Sequence, residues 1–190
     1  QNTQNKGYYM PQRSICVFCG ASDGINPEYG EAASTFGTLL AQNNLRLVYG
    51  ACDIGFMGRV ARAAQNAGGT TFGVIPEHLV NWEIGKNDLT SYVVTETMHE
   101  RKKVMFMNAD AVALLPGGAG SLDEFFEVLT WAQLKLHSKP IVLINVKGYW
   151  DPLLALLDHV IAQGFAKDNI RTFFKIAATP QEALAYLGAG

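Results

Sequence analysis

The run Ser14-Ile15-Cys16-Val17-Phe18-Cys19-Gly20-Ala21-Ser22 decides the fold. Ser14–Cys19 reads as a strand that is apolar along its length rather than alternately, which requires cover on both faces. A glycine turn ends it, and a helix follows from about Pro27 to Asn43. The same unit recurs outward along the chain. Strands are expected at Leu45–Tyr49, Thr70–Ile75, Ser91–Thr95, Ala111–Leu115, Ile141–Asn145 and Lys175–Ala177. Helices are expected from Gly50–Gly58 to about Ala67, and at Met98–Asn108, Ser121–Leu136, Trp150–Ala162 and Pro180–Leu187. Pro76–Leu89 is less regular. Strand–helix alternation of this kind predicts an α/β fold, a doubly wound parallel sheet with helices on both faces. One domain is expected over residues 14–190, preceded by a loose polar arm at 1–13 that has no hydrophobic segment resembling a signal peptide.

The bulk numbers restrict the function classes. With 190 residues the chain is long enough for one full core. Lys+Arg 15 against Asp+Glu 17 gives a net charge of −2, with no basic block, so neither nucleic acid nor an anionic membrane is the expected partner. No apolar run approaches the ~20 residues that span a bilayer. An odd set of three cysteines, Cys16, Cys19 and Cys52, points to a reduced cytoplasmic protein. Cys16 and Cys19 sit three apart on one strand and point to opposite faces, which argues against a redox or zinc pair. The four histidines show no metal-ligand spacing, and no metal is expected.

In open α/β sheets ligands bind beyond the carboxyl ends of the strands. Pro116-Gly117-Gly118-Ala119-Gly120-Ser121 lies there, between a strand and a helix. Its glycines let backbone approach a ligand, and the amides of the first helical turn attract an anion. A tight turn that merely needs positive φ would use the same residues. Leu122, Asp123 and Glu124 follow, and Ser121-x-x-Glu124 also has the spacing of a capping box. A cradle for anions next to carboxylates suits a ligand with a phosphate at one end and a centre that becomes cationic at the other. In Met98-His99-Glu100-Arg101-Lys102-Lys103 the charges Arg101 and Lys102 fall on an apolar stripe with Met98 and Met105, while Lys103 faces solvent. An anion would justify them, and so would snorkelling over apolar surface.

Together, Met98-His99-x-Arg101-Lys102 and Pro116-Gly117-Gly118-x-Gly120-Ser121-x-x-Glu124 resemble the LOG ("Lonely Guy") family of cytokinin riboside 5′-monophosphate phosphoribohydrolases, some of which carry a lysine decarboxylase label. The similarity includes Gly73-Val74-Ile75-Pro76 and Leu129-Thr130-Trp131-Ala132-Gln133-Leu134. It departs from the family at Ser121, usually Thr, and at Ala51-Cys52, usually richer in glycine. The resemblance implies a Rossmann-like fold, a homodimer with the site near its interface and no organic cofactor or metal. It puts the catalytic pair on Arg101 and Glu124. Substrate contacts fall on Glu83, Arg101, Lys102, Gly117, Gly118, Ala119, Gly120, Ser121, Leu122, Asp123, Glu124 and Thr130.

The implied reaction is hydrolysis of the N-glycosidic bond of an N6-prenyladenine riboside 5′-monophosphate, with AMP as a second substrate, giving free base and ribose 5-phosphate. Positive charge develops on the ribose in such a reaction, so a carboxylate near C1′ is the expected stabiliser or base. The rival class is a Rossmann-like carrier that holds a nucleotide or a molybdenum cofactor without catalysis. A dinucleotide oxidoreductase is disfavoured, because Thr70–Ile75 runs into Pro76 instead of ending on an acid.

Overall fold

The computed structural model describes residues 11–80 and 90–188. Seven strands, β1 (Ser14–Phe18), β2 (Arg46–Tyr49), β3 (Thr71–Pro76), β4 (Ser91–Thr95), β5 (Ala111–Leu114), β6 (Ile141–Ile144) and β7 (Lys175–Ala177), alternate with helices. The helices are α1 (Pro27–Gln42), α2 (Gly55–Asn66), α3 (Met98–Met107), α4 (Ala119–Gln133), α5 (Asp151–Ala162) and α6 (Pro180–Tyr186). Every expected strand and helix is present. Within the irregular segment after β3 a 3-10 turn forms at Glu77–Leu79. Most of the N-terminal arm, residues 1–10, lies outside the described residues.

All seven strands pair in parallel in the order β4-β3-β2-β1-β5-β6-β7. Side chains alternate between two cores, as the strand period of two demands. Ile15, Val17, Leu47, Tyr49, Ala113 and Ile144 belong to the core that also holds Phe36 of α1, Val60 of α2 and Ala183 of α6. Cys16, Phe18, Val48, Leu114 and Leu143 pack in the other with Met105 of α3, Phe125 and Leu129 of α4 and Leu157 of α5. Cys16 and Cys19 therefore do face opposite ways, and all three cysteines are buried and form no disulfide. Among the described residues no helix is long and apolar enough to cross a membrane.

The order reverses at β1. The chain builds outward from β1 to β4, then α3 returns it to lay β5 on β1's other side. Connections leaving β1 and β5 thus diverge to opposite faces, and a crevice opens between them.

The boundaries of α4 differ from the expected Ser121–Leu136 in a way that matters. Gly118 is the N-cap, so the helix starts two residues early and Ser121 is its third residue. At the far end Lys135 takes a left-handed conformation (φ 59°), and its amide and that of Leu136 bond back to Ala132 and Trp131, closing the helix.

Candidate active site

The crevice between β1 and β5 is a cavity of about 710 Å³. Gly20 beyond β1, Gly50 beyond β2, Arg101 of α3, Gly117–Gly118 beyond β5 and Glu124 of α4 all line it.

Arg101 is only 4% exposed. A capping box formed by Thr97 and Glu100 fixes the start of α3 and points the next residue inward. Its Nε donates to the Val74 carbonyl at 3.0 Å, and Nη2 donates to the Gly50 carbonyl. These oxygens sit on β3 and directly after β2. Two backbone acceptors thus hold the guanidinium in place at the edge of the cavity. Gly50 is required for this approach, since a Cβ there would lie 1.9 Å from Nη2. The next residue, Ala51, is fully buried with φ 58°, a conformation glycine adopts far more readily.

The loop Pro116–Ser121 departs from the tight-turn explanation. None of Gly117, Gly118 and Gly120 has positive φ. Gly117 is there for close packing: a Cβ would come within 2.0 Å of Ser121 Oγ and 2.8 Å of the Gly20 nitrogen. At Gly118 and Gly120 a Cβ would meet no atom within 4 Å, so packing within the chain does not demand glycine at either, and both line the cavity. No side chain caps α4, whose first amides, those of exposed Ala119 and Gly120 and of buried Ser121, therefore remain available at its positive end.

The capping box across Ser121 and Glu124 is absent. With Gly118 as N-cap, Glu124 lies in the second turn, too far along to reach back to the helix start. It is half-buried and lines the cavity instead. Burial pushes its pKa from 4.5 to about 7, against the pull of the Arg101 charge; Asp123 adds to the rise. A carboxyl that titrates near neutrality is well placed to exchange protons.

Several expected contacts lie elsewhere. Lys102 is buried, but its ammonium binds Asp123 at 2.9 Å and Glu127 at 2.8 Å, tying α3 to α4, and neither Lys102 nor Asp123 lines the cavity. Leu122 packs against the core beneath α4. Thr130 is exposed near the end of α4, apart from the cavity. Glu83 lies outside the described residues. Sequence reasoning passed over Tyr149, whose hydroxyl donates to the Gly117 carbonyl at 2.6 Å and whose ring lines the cavity. Its position beyond β6, at a strand's carboxyl end, was the available signal. Among the described residues no three His, Cys, Asp or Glu side chains converge on a point that could hold a metal.

The family model described as "Possible lysine decarboxylase" matches residues 57–187. The cytokinin riboside 5′-monophosphate phosphoribohydrolase of Rhodococcoides fascians is 42% identical over 174 residues, 91% of this chain and 88% of that one. The protein of the same name, LOG1, from Arabidopsis thaliana is 41% identical over 175 residues, 92% of this chain and 82% of its own. Among solved structures, the molybdenum cofactor binding protein of Rippkaea orientalis superposes with a TM-score of 0.71 at 23% identity, covering 93% of this chain and 95% of that one. At that identity the likeness is one of fold.

Proposed function

Since the chain belongs to the LOG family, we propose that it hydrolyses the N-glycosidic bond of cytokinin (N6-prenyladenine) riboside 5′-monophosphates, and more weakly of AMP, releasing free base and ribose 5-phosphate. One observation carries the reading: an uncapped helix start with two unobstructed glycines, a buried arginine and a carboxyl titrating near neutrality share one cavity.

In this reading the amides of Gly118–Ser121 hold the 5′-phosphate and Arg101 supplies the counter-charge. Glu124 faces C1′, where its carboxylate stabilises the oxocarbenium-like ribose or takes a proton from the attacking water. Water adds to C1′, the C1′–N9 bond breaks, and the base leaves with a proton. Lysine decarboxylation by a pyridoxal enzyme would need a lysine amine in the cavity. Among the described residues no lysine lines it, and the buried Lys102 is held by two carboxylates.

Glu83 and Thr130 complete the proposed contact set from the motif alone. A homodimer with the site near its interface would account for Thr130, which one copy leaves exposed and apart from the cavity. The cytoplasm is the proposed location, supported by three buried cysteines that form no disulfide.

Incubation with AMP and with isopentenyladenosine monophosphate, followed by chromatography for free base, tests the reading. Base is expected from both, with the prenylated nucleotide faster. No base from either overturns the hydrolase and leaves a carrier.

A further inference from the structure

Gly117 and Gly118 flank one peptide unit of the anion loop, and neither has a Cβ to resist rotation of that unit. The position of Gly118 adds to this freedom, because even a Cβ there would meet no described atom within 4 Å. A peptide unit is planar and trans, so its C=O and N–H point in opposite directions. Flipped one way, this unit offers the Gly118 N–H to an anion. Flipped the other way, it offers the Gly117 oxygen, which repels one.

One side-chain contact bears on the choice between the two. Tyr149 donates its hydroxyl hydrogen to the Gly117 oxygen at 2.6 Å. The tyrosine is itself well anchored. Its ring stands edge-on to Tyr29 at 5.2 Å and to buried Trp150 at 4.7 Å. The Trp150 amide donates to Asn145 Oδ1 at 2.6 Å, and two left-handed residues, Lys147 and Gly148, turn the chain from β6 back toward the cavity. The preceding carbonyl, that of Pro116, is likewise occupied, accepting from the Gly20 amide at 3.0 Å. Consecutive carbonyls of the loop are thus engaged from β1's side and from β6's side.

We propose that Tyr149 is a positioning residue that locks the Gly117–Gly118 peptide with its carbonyl turned to the tyrosine and its N–H added to the anion cradle. The inference rests on the reading of this loop as the phosphate site, though not on turnover. It assigns the hydroxyl a role in recognising the phosphoribosyl end of the ligand and none in recognising the base.

Tyr149→Phe removes the hydroxyl and keeps the ring contacts, so the variant should fold with an unchanged melting temperature. Ribose 5-phosphate and adenine are titrated calorimetrically into the wild type and the variant. Loss of one aligned hydrogen bond should weaken ribose 5-phosphate roughly five- to tenfold and leave adenine unaffected. Equal weakening of both ligands, or of neither, overturns the proposal, as does a wild type that does not bind ribose 5-phosphate. Tyr149→Leu, which also removes the ring, should lower the melting temperature, separating packing from the hydrogen bond. A wild type that binds ribose 5-phosphate but releases no base from nucleotides would remove the hydrolase reading while leaving this one standing.

Discussion

Glu124 is costly to the folded protein and useful to its chemistry for the same reason. Burial raises its pKa from 4.5 to about 7, so folding favours the protonated form. The cost is absent below about pH 4.5, grows as pH rises, and is complete above about 7, where it reaches about 3 kcal/mol. Glu124→Gln carries no such charge. It should therefore melt higher than the wild type at pH 8 and close to it at pH 4.5, while base release falls by roughly two to four orders of magnitude. The wild-type kcat/KM should rise with pH through about 7, as a group that must be ionised requires. Thermal melts at the two pH values and a pH–rate profile check this. Wild-type rates in the variant would remove Glu124 from the reaction.

Between elements, the buried ammonium of Lys102 joins α3 to α4 through Asp123 and Glu127. Burial alone would lower its pKa, but the two carboxylates more than offset that and raise it. The neighbours of this clamp in sequence are Arg101 on one helix and Glu124 on the other, so it sets the spacing of the proposed catalytic pair. Its charge also favours ionisation of Glu124. Lys102→Met should lower stability by about 1–3 kcal/mol, less than a wholly buried pair because Asp123 is largely exposed. The rise of kcat/KM should also move to higher pH, because the carboxyl loses a favourable charge. A variant that keeps its stability and pH profile but binds the nucleotide more weakly would show that Lys102 contacts phosphate directly.

Across the whole molecule, the sheet was legible because buried parallel strands are apolar throughout and bounded by glycine, as in Ser14–Gly20 and Ala111–Gly117. The crevice followed from topology. The partners of individual charges were not legible: Arg101 and Lys102 look alike on a helical stripe, yet one turns to strand carbonyls and the other to carboxylates of α4. The capping spacing of Ser121 and Glu124 misled because a glycine, which leaves no side-chain trace, starts the helix two residues earlier. The central position of β1 has its own consequence. Cys16 is fully buried there, and burial raises its thiol pKa well above the usual value. Alkylation of Cys16 should wait for global unfolding, with iodoacetamide labelling read by mass spectrometry across a denaturant series. Labelling of the native chain at the rate of the unfolded one would contradict this placement.

The fastening of Arg101 bears on how this protein tolerates mutation. The Val74 and Gly50 acceptors are main-chain oxygens, and every amino acid supplies one. Position 74 can thus drift among side chains that fit the core without loosening the guanidinium. At position 50, by contrast, this backbone anchorage leaves a mark in the genetic text, as an absence of side chain. A library randomised at both positions should return many residues at 74 and a single one at 50.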